Sequence, residues 1–310
     1  MIMKKFFVYL LLNFVATYNE QSRPLTCIEE LPNELFYEIF EYLDGCDIYK
    51  AFSKLNARFH HLINNSPIPL KIQVAFKSES ESESELKYYC KNVILPNRNR
   101  IVSLYLTRDF FIDEFFQYCI IDASFTSLEF IDLIDISSAK LLVLLSYLKS
   151  LPRLFSLSAH VDKQGPLYFN DTYRIILSLP FLKYNKLALQ TNAEFNISMP
   201  FAINERVSTI EHLTLNHKCT LNELISTLYY TPPLHYLCCN YLIESNDDVI
   251  NTEKPIVLSN LTYVHFNFCL LEFDELETFI KRYSTNIQVF STTHCLYTDY
   301  LDADRWEPID

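Results

Sequence analysis

The chain reads as a small all-helical module followed by an α/β repeat, a curved parallel sheet with helices on its convex side. Three observations predict this. Apolar residues recur at helical spacing between residues 28 and 68. From residue 101 onward an apolar, two-spacer, apolar, one-spacer, apolar pattern returns at steps of 27, 26, 30, 26, 24, 27 and 26 residues. Prolines at 152, 180 and 232 each fall just before a return of that pattern, where a helix must stop.

Residues 1–27 form an apolar extension. Lys4 and Lys5 precede Phe6 to Leu12 and Phe14 to Ala16, the charged start and apolar run of a secretory signal. Ala16-Thr17-Tyr18 is a poor cleavage site, and the run is short for a membrane span. Two readings stand, a signal segment and an extension packing on the first module. Sequons at Asn64, Asn170, Asn196 and Asn260 do not decide between them.

The first module spans 28–68. Pro32 suits a first helical position, where its missing N–H costs nothing. Leu35, Ile39, Phe40 and Leu43 then make one apolar stripe. Gly45 ends that helix, and Asp47 is placed to cap a second one carrying Ile48, Ala51, Phe52 and Leu55. A third segment from Asn56 holds Phe59, Leu62 and Ile63 before Pro67 and Pro69. So short a bundle buries little surface and gains stability by docking on a partner.

The order Leu31-Pro32-Asn33-Glu34-Leu35, Ile39-Phe40, Tyr42-Leu43, Asp47-Ile48 and Leu55-Asn56-Ala57-Arg58-Phe59 resembles the F-box, which binds the Skp-type adaptor of cullin-based ubiquitin ligases. By that resemblance Leu31, Pro32, Leu35, Ile39, Leu43, Ile48, Phe52 and Leu55 face the adaptor or support the face that does. Phe59 stands where many F-boxes carry Trp, which implies weaker or altered docking.

Residues 69–97 read as a linker, because 78–85 alternate Ser and Glu four times with no apolar residue to bury. Phosphorylation of those serines would add negative charge, and a plain spacer is the simpler role.

Residues 98–298 carry about eight repeats. Their heads are Ile101, Leu128, Leu154, Tyr184, Ile210, Leu234, Leu261 and Ile287. Each head starts a short strand whose alternate residues point inward. Helices are expected at 139–151, 173–179, 221–230 and 275–283, with Thr220 and Glu223 as a capping box. The period resembles the leucine-rich repeat, whose ninth position takes Asn or Cys; Asn192, Cys269 and Cys295 fall there. Residues 192–207 lack helical periodicity and are expected as a loop, and the acidic tail 299–310 with Trp306 as a makeshift cap.

Composition narrows the function. A chain of 310 residues with 49% apolar and 15% aromatic residues has enough to bury, and is not disordered. A net charge of −12 argues against nucleic acid and an anionic membrane as partners. With only Gly45 and Gly165, neither a phosphate-cradling loop nor a GxSxG elbow can be written. Nine cysteines without a CxxC pair read as reduced thiols, and His235, Cys238 and Cys239 lack the further ligands zinc needs. No catalytic residue, metal or cofactor is assigned.

The expected role is that of a non-enzymatic substrate receptor in a cytosolic or nuclear ligase complex. The F-box would hold a Skp-type adaptor and through it a cullin, and the repeats an unknown protein target. Strand spacers His212, Thr214, Tyr236, Tyr263 and His265 are the candidate target contacts. The rival is a secreted or membrane-tethered leucine-rich recognition protein, with residues 1–16 as a working signal.

Overall fold

The computed structural model describes residues 29, 31–65, 68–74, 82–162, 168–189, 207–245, 258–283, 286–295, 298–302, 304 and 306. The signal-like segment, Asn192 and Asn196 lie outside them. The chain divides into two compact units, Met1–Pro69 and Leu70–Asp310.

Among the described residues the first unit holds three short helices, α1 (Asn33–Glu41), α2 (Gly45–Phe52) and α3 (Ala57–Asn65). Pro32 sits one position earlier than expected, at the N-cap of α1 with extended backbone. The cap of α2 is Asp44 rather than Asp47. The Asp44 carboxylate accepts from the backbone N–H of Cys46 at 2.8 Å and of Asp47 at 3.4 Å. Gly45 is therefore the first residue of α2, and the charge of Asp47 suits its first turn. Asn56 Oδ1 accepts from Phe59 N at 3.1 Å and so opens α3. Each helix buries one stripe, and Phe36, Phe40, Phe52 and Phe59 meet between them.

The second unit is built on a nine-stranded sheet whose strands follow sequence order, each parallel to the next. They are β1 (Leu70–Val74), β2 (Ile101–Thr107), β3 (Phe130–Ile136), β4 (Ser156–Val161), β5 (Tyr184–Leu189), β6 (His212–Thr220), β7 (Tyr236–Ile243), β8 (Tyr263–Leu270) and β9 (Val289–Cys295). The connections carry α4 (Ser82–Tyr89), α5 (Asp109–Tyr118), α6 (Ser138–Leu148), α7 (Phe169–Leu177), α8 (Leu221–Leu228) and α9 (Phe273–Tyr283). First and last strands are not paired, so the sheet stays open, as in an α/β repeat solenoid.

Register explains why one core runs through every strand. Ile72, Leu104, Ile131, Leu157, Asn185, Leu213, Leu237, Val264 and Phe290 occupy one inward position across the sheet. Val74, Leu106, Leu133, Ala159, Leu187, Leu215, Cys239, Phe266 and Thr292 occupy the next. Helix side chains close over these rows; Phe279 of α9 meets Phe266 at 6.3 Å between ring centres. Each fully buried leucine contributes about 1.5–3 kcal/mol. The capping box forms as the sequence predicts: Thr220 Oγ1 accepts from Glu223 N at 3.2 Å, and Glu223 Oε2 accepts from Thr220 N at 2.7 Å.

Three expectations need correction. The stretch 69–97 is no plain linker. It contributes β1, whose Leu70, Ile72 and Val74 are buried, and α4, which takes up the last Ser-Glu pairs. The helix continues through a π-turn at Cys90–Ile94 and a 3₁₀ turn at Leu95–Asn97, burying Leu86, Cys90, Val93 and Ile94. The Ser-Glu stretch has no apolar residue of its own, but the residues after it do, and they draw its last four residues into a helix. The second correction concerns the fourth head, which is Leu182 and not Tyr184. Asn185 pairs with Leu157, Leu187 pairs with Ala159, and Tyr184 faces outward at 46% exposure. Corrected steps around it are 28 and 28 residues, more regular than those read from Tyr184. The slip arose because a polar residue fills the inward position, and Asn185 is 3% exposed. Third, α5 was not anticipated, although Phe111, Ile112 and Phe115 give it a buried face.

At the last strand Trp306 lies against Phe290 (5.5 Å) and Phe273 (5.0 Å), and its Nε1 donates to Tyr300 O at 3.1 Å. These contacts cover the half-buried inner row of β9.

Candidate functional site

Two surfaces present side chains that a partner can use. On the helical unit the nominated residues divide by depth. Leu31, Ile39 and Ile48 are buried and support the unit from within. Leu35, Leu43 and Phe52 are half-buried, Pro32 is exposed and Leu55 is 49% exposed. Tyr42, at 68% the most exposed large apolar residue among those described, was not nominated, although it lies inside the recognised motif.

Arg58 holds this surface in shape. Its guanidinium lies 5.6 Å from the Phe36 ring centre and 6.0 Å from that of Phe59. It donates to Leu31 O at 2.5 Å, to Asn33 Oδ1 at 2.6 and 2.9 Å, and to Glu29 O. The entry strand bearing Leu31 and Pro32 is thus tied to α3 by a planar, permanently charged fork. Phe59 itself is fully buried against Phe36 at 4.7 Å, edge to face.

The second surface is the outer face of the sheet. Tyr184, His212, Tyr236 and Tyr263 share one register position on β5 to β8. Their rings stack at 4.4, 5.7 and 4.5 Å with interplanar angles of 17°, 27° and 9°. The next outward row is Lys186, Thr214, Cys238, His265 and Ser291. All five nominated contacts, His212, Thr214, Tyr236, Tyr263 and His265, are half-buried and fall on these two rows. Burial holds His212 below the usual imidazole range, which favours its neutral form. The Nδ1 atom of His265 is shielded from solvent and has no hydrogen-bond partner.

Two features of this face escaped the sequence. Tyr184 was assigned inward by the two-residue slip. A second ladder, Tyr241, Phe268 and His294, stacks at 4.8 and 4.5 Å near the far end of β7 to β9. Its signal is positional, since Phe268 and His294 each precede a turn cysteine, Cys269 and Cys295. Between the ladders Asn240 Nδ2 donates to Asn216 Oδ1, and Thr293 Oγ1 donates to Asn267 Oδ1 at 2.6 Å.

Cys238 and Cys239 point to opposite faces, as neighbours on a strand must, and His235 is exposed at the start of β7. Among the described residues no cluster of His, Cys, Asp or Glu is placed to hold a metal ion.

Behind the outer face one polar pair is sealed in the core. β6 alternates without a break, so His217 follows Leu213 and Leu215 on the inward face, while its pairing with β7 shifts by one residue between Leu215 and Lys218. His217 Nδ1 donates to Lys218 O at 2.8 Å, so the neutral ring accepts at Nε2 from Tyr173 OH of α7. Burial lowers the His217 pKa to about 4.

Residues 28–71 match the family model of the F-box domain. No curated protein matches the chain. An F-box domain implies binding to a Skp-type adaptor, and supports a role as adaptor or substrate-recognition component of SCF-type ubiquitin ligases. Among the described residues no helix is long and apolar enough to cross a membrane.

Proposed function

We propose that the chain is a non-catalytic substrate receptor of a cullin-based SCF-type ubiquitin ligase, working in the cytoplasm or nucleus. Its F-box domain holds the Skp-type adaptor, and its nine-strand unit, read as an irregular leucine-rich-repeat solenoid, holds the protein to be ubiquitinated. The observation that carries this reading is the F-box match over residues 28–71, on helices that expose Pro32, Tyr42 and Leu55. The outer face of the sheet supports the second half, because stacked aromatic rings offer large contact area at little entropic cost. The receptor supplies no chemistry. It raises the effective concentration of target lysines near a ligase that it does not itself contain.

Two measurements test the reading. Purified Skp-type adaptor should be retained by the wild-type chain and lost on Leu35→Asp combined with Leu55→Asp. Retention of adaptor by that double variant, or no retention by the wild type, rejects the adaptor half. Affinity capture from cells with the proteasome blocked should recover adaptor, cullin and a set of targets. Tyr236→Arg with Tyr263→Arg should keep adaptor and cullin and lose the targets; an unchanged set rejects the repeats as the target surface.

A further inference from the structure

The outer face of the sheet is electrically divided. On β3 it carries Asp132, with Asp135 following and bonded to the His160 ring at 3.0 Å. On β5 to β9 the outward rows contain Tyr184, Lys186, His212, Thr214, Asn216 and Lys218, then Tyr, Cys, Asn, His, Phe, Ser and Thr side chains, and no carboxylate. Glu211, which directly precedes β6, is held by Lys183 at 2.8 Å. In a chain with 38 acidic against 26 basic residues, β3 alone among the described strands carries carboxylates, and β5 to β9 form a broad stretch of sheet that bears Lys186 and no acid.

What the face offers is donors. Lys186 is exposed, and phenol O–H, imidazole N–H and amide N–H groups repeat from strand to strand. The strands lie about 4.8 Å apart, so β5 to β9 span about 19 Å, the length of about six extended residues. We propose that this face takes an extended acidic segment of the target protein, laid across the strands between the two aromatic ladders. Its carboxylates would meet Lys186 and the donor rows, and its methylene groups the edges of the stacked rings. A basic segment finds no counter-charge here and finds many elsewhere on the chain. This inference rests on the reading of the repeats as the target surface.

The test uses the full chain in complex with its adaptor, and fluorescence anisotropy with labelled Glu–Gly, Lys–Gly and Ser–Gly repeat peptides of equal length. The Glu–Gly peptide should bind at least about tenfold more tightly than either of the others. Lys186→Glu together with Thr214→Glu, both on outward positions, should weaken it about tenfold while leaving adaptor binding and the melting temperature unchanged. Equal binding of the three peptides, indifference to the double charge change, or displacement of the Glu–Gly peptide by a single-stranded oligonucleotide would each overturn the acidic-segment proposal. Failure here, with targets still lost from Tyr236→Arg and Tyr263→Arg, sinks only the chemistry of the ligand. Targets retained by that variant sink the reading beneath it.

Discussion

The two units solve the problem of a small core in opposite ways. In the helical unit a few rings do everything: Phe36 touches Phe40, Phe52 and Phe59, and Phe52 touches all three others. In the sheet unit an inward residue stands beside the same position on the strand before and the strand after, under the helix of its own repeat. The first arrangement fails as a whole when one member is lost. The second spreads a defect over neighbours, which is why it can hold Asn185 and His217 where the helical unit has only apolar residues inside.

The strongest way to break this contrast is Phe36→Ala. Truncating a fully buried Phe costs about 3–5 kcal/mol, comparable with all the stability a unit of this size can command. Hydrogen exchange should show α1 to α3 opening while the amides of β2 to β8 stay protected, with adaptor binding abolished. Loss of protection in both units at once would refute the independence of the two cores.

A somewhat smaller effect should come from acid acting on the sheet unit. An ordinary imidazole titrates near 6.5, whereas His217 is held at about 4 by burial. Between those values the unfolded chain takes up a proton that the folded chain refuses, so stability rises with pH and is lost as pH falls from about 6.5 to 4. The loss is on the order of 3 kcal/mol at the lower end. Chemical denaturation at pH 7 and at pH 4 measures it, and His217→Leu should flatten that part of the difference. An unchanged pH dependence in the variant would mean that the ring is not sealed as the Tyr173 bond indicates.

Arg58→Lys should cost the helical unit about 1–2 kcal/mol, because an ammonium cannot reach Leu31 O, Glu29 O and Asn33 Oδ1 together. Calorimetry reads the stability. The rate of adaptor release should rise with it, since the tether positions Leu31 and Pro32. A normal release rate in a destabilised variant would separate the two roles.

How far the sequence could be read follows the same division. The helical unit was legible nearly residue by residue, because caps, breakers and stripe lie within forty residues and act locally. Its misreadings are each local, Pro32 by one position and Asp47 for Asp44, the latter because two acids flank one glycine. The repeat was legible wherever inward positions are apolar. It failed at β1, whose Leu70, Ile72 and Val74 alternate correctly but precede the acidic stretch, and at β5, where Asn185 hides an inward position. The first two outward rows are legible on β6 to β8 and lost at Tyr184 for that reason, and the ladder of Tyr241, Phe268 and His294 lies beyond the heads that the period marks. His217 continues the alternation of Leu213 and Leu215, and only its polar ring hides that inward position, as with Asn185.

The smallest effect is also the sharpest test of the corrected register. Asn185 Nδ2 donates to Leu157 O at 3.3 Å, a long bond, and its Oδ1 is buried with no partner. An unsatisfied buried acceptor costs about 1–3 kcal/mol, more than one weak bond returns. Every other member of that inward row is apolar, from Ile72 to Phe290. Asn185→Leu should therefore complete the row and stabilise the sheet unit by about 1 kcal/mol, after some cost for added volume. Had Tyr184 been the true head, Asn185 would be a spacer on the wet face, and leucine there would leave the denaturation midpoint unmoved or promote association. A gain in midpoint without self-association, seen by urea titration and light scattering on the same sample, fixes the fourth repeat on Leu182.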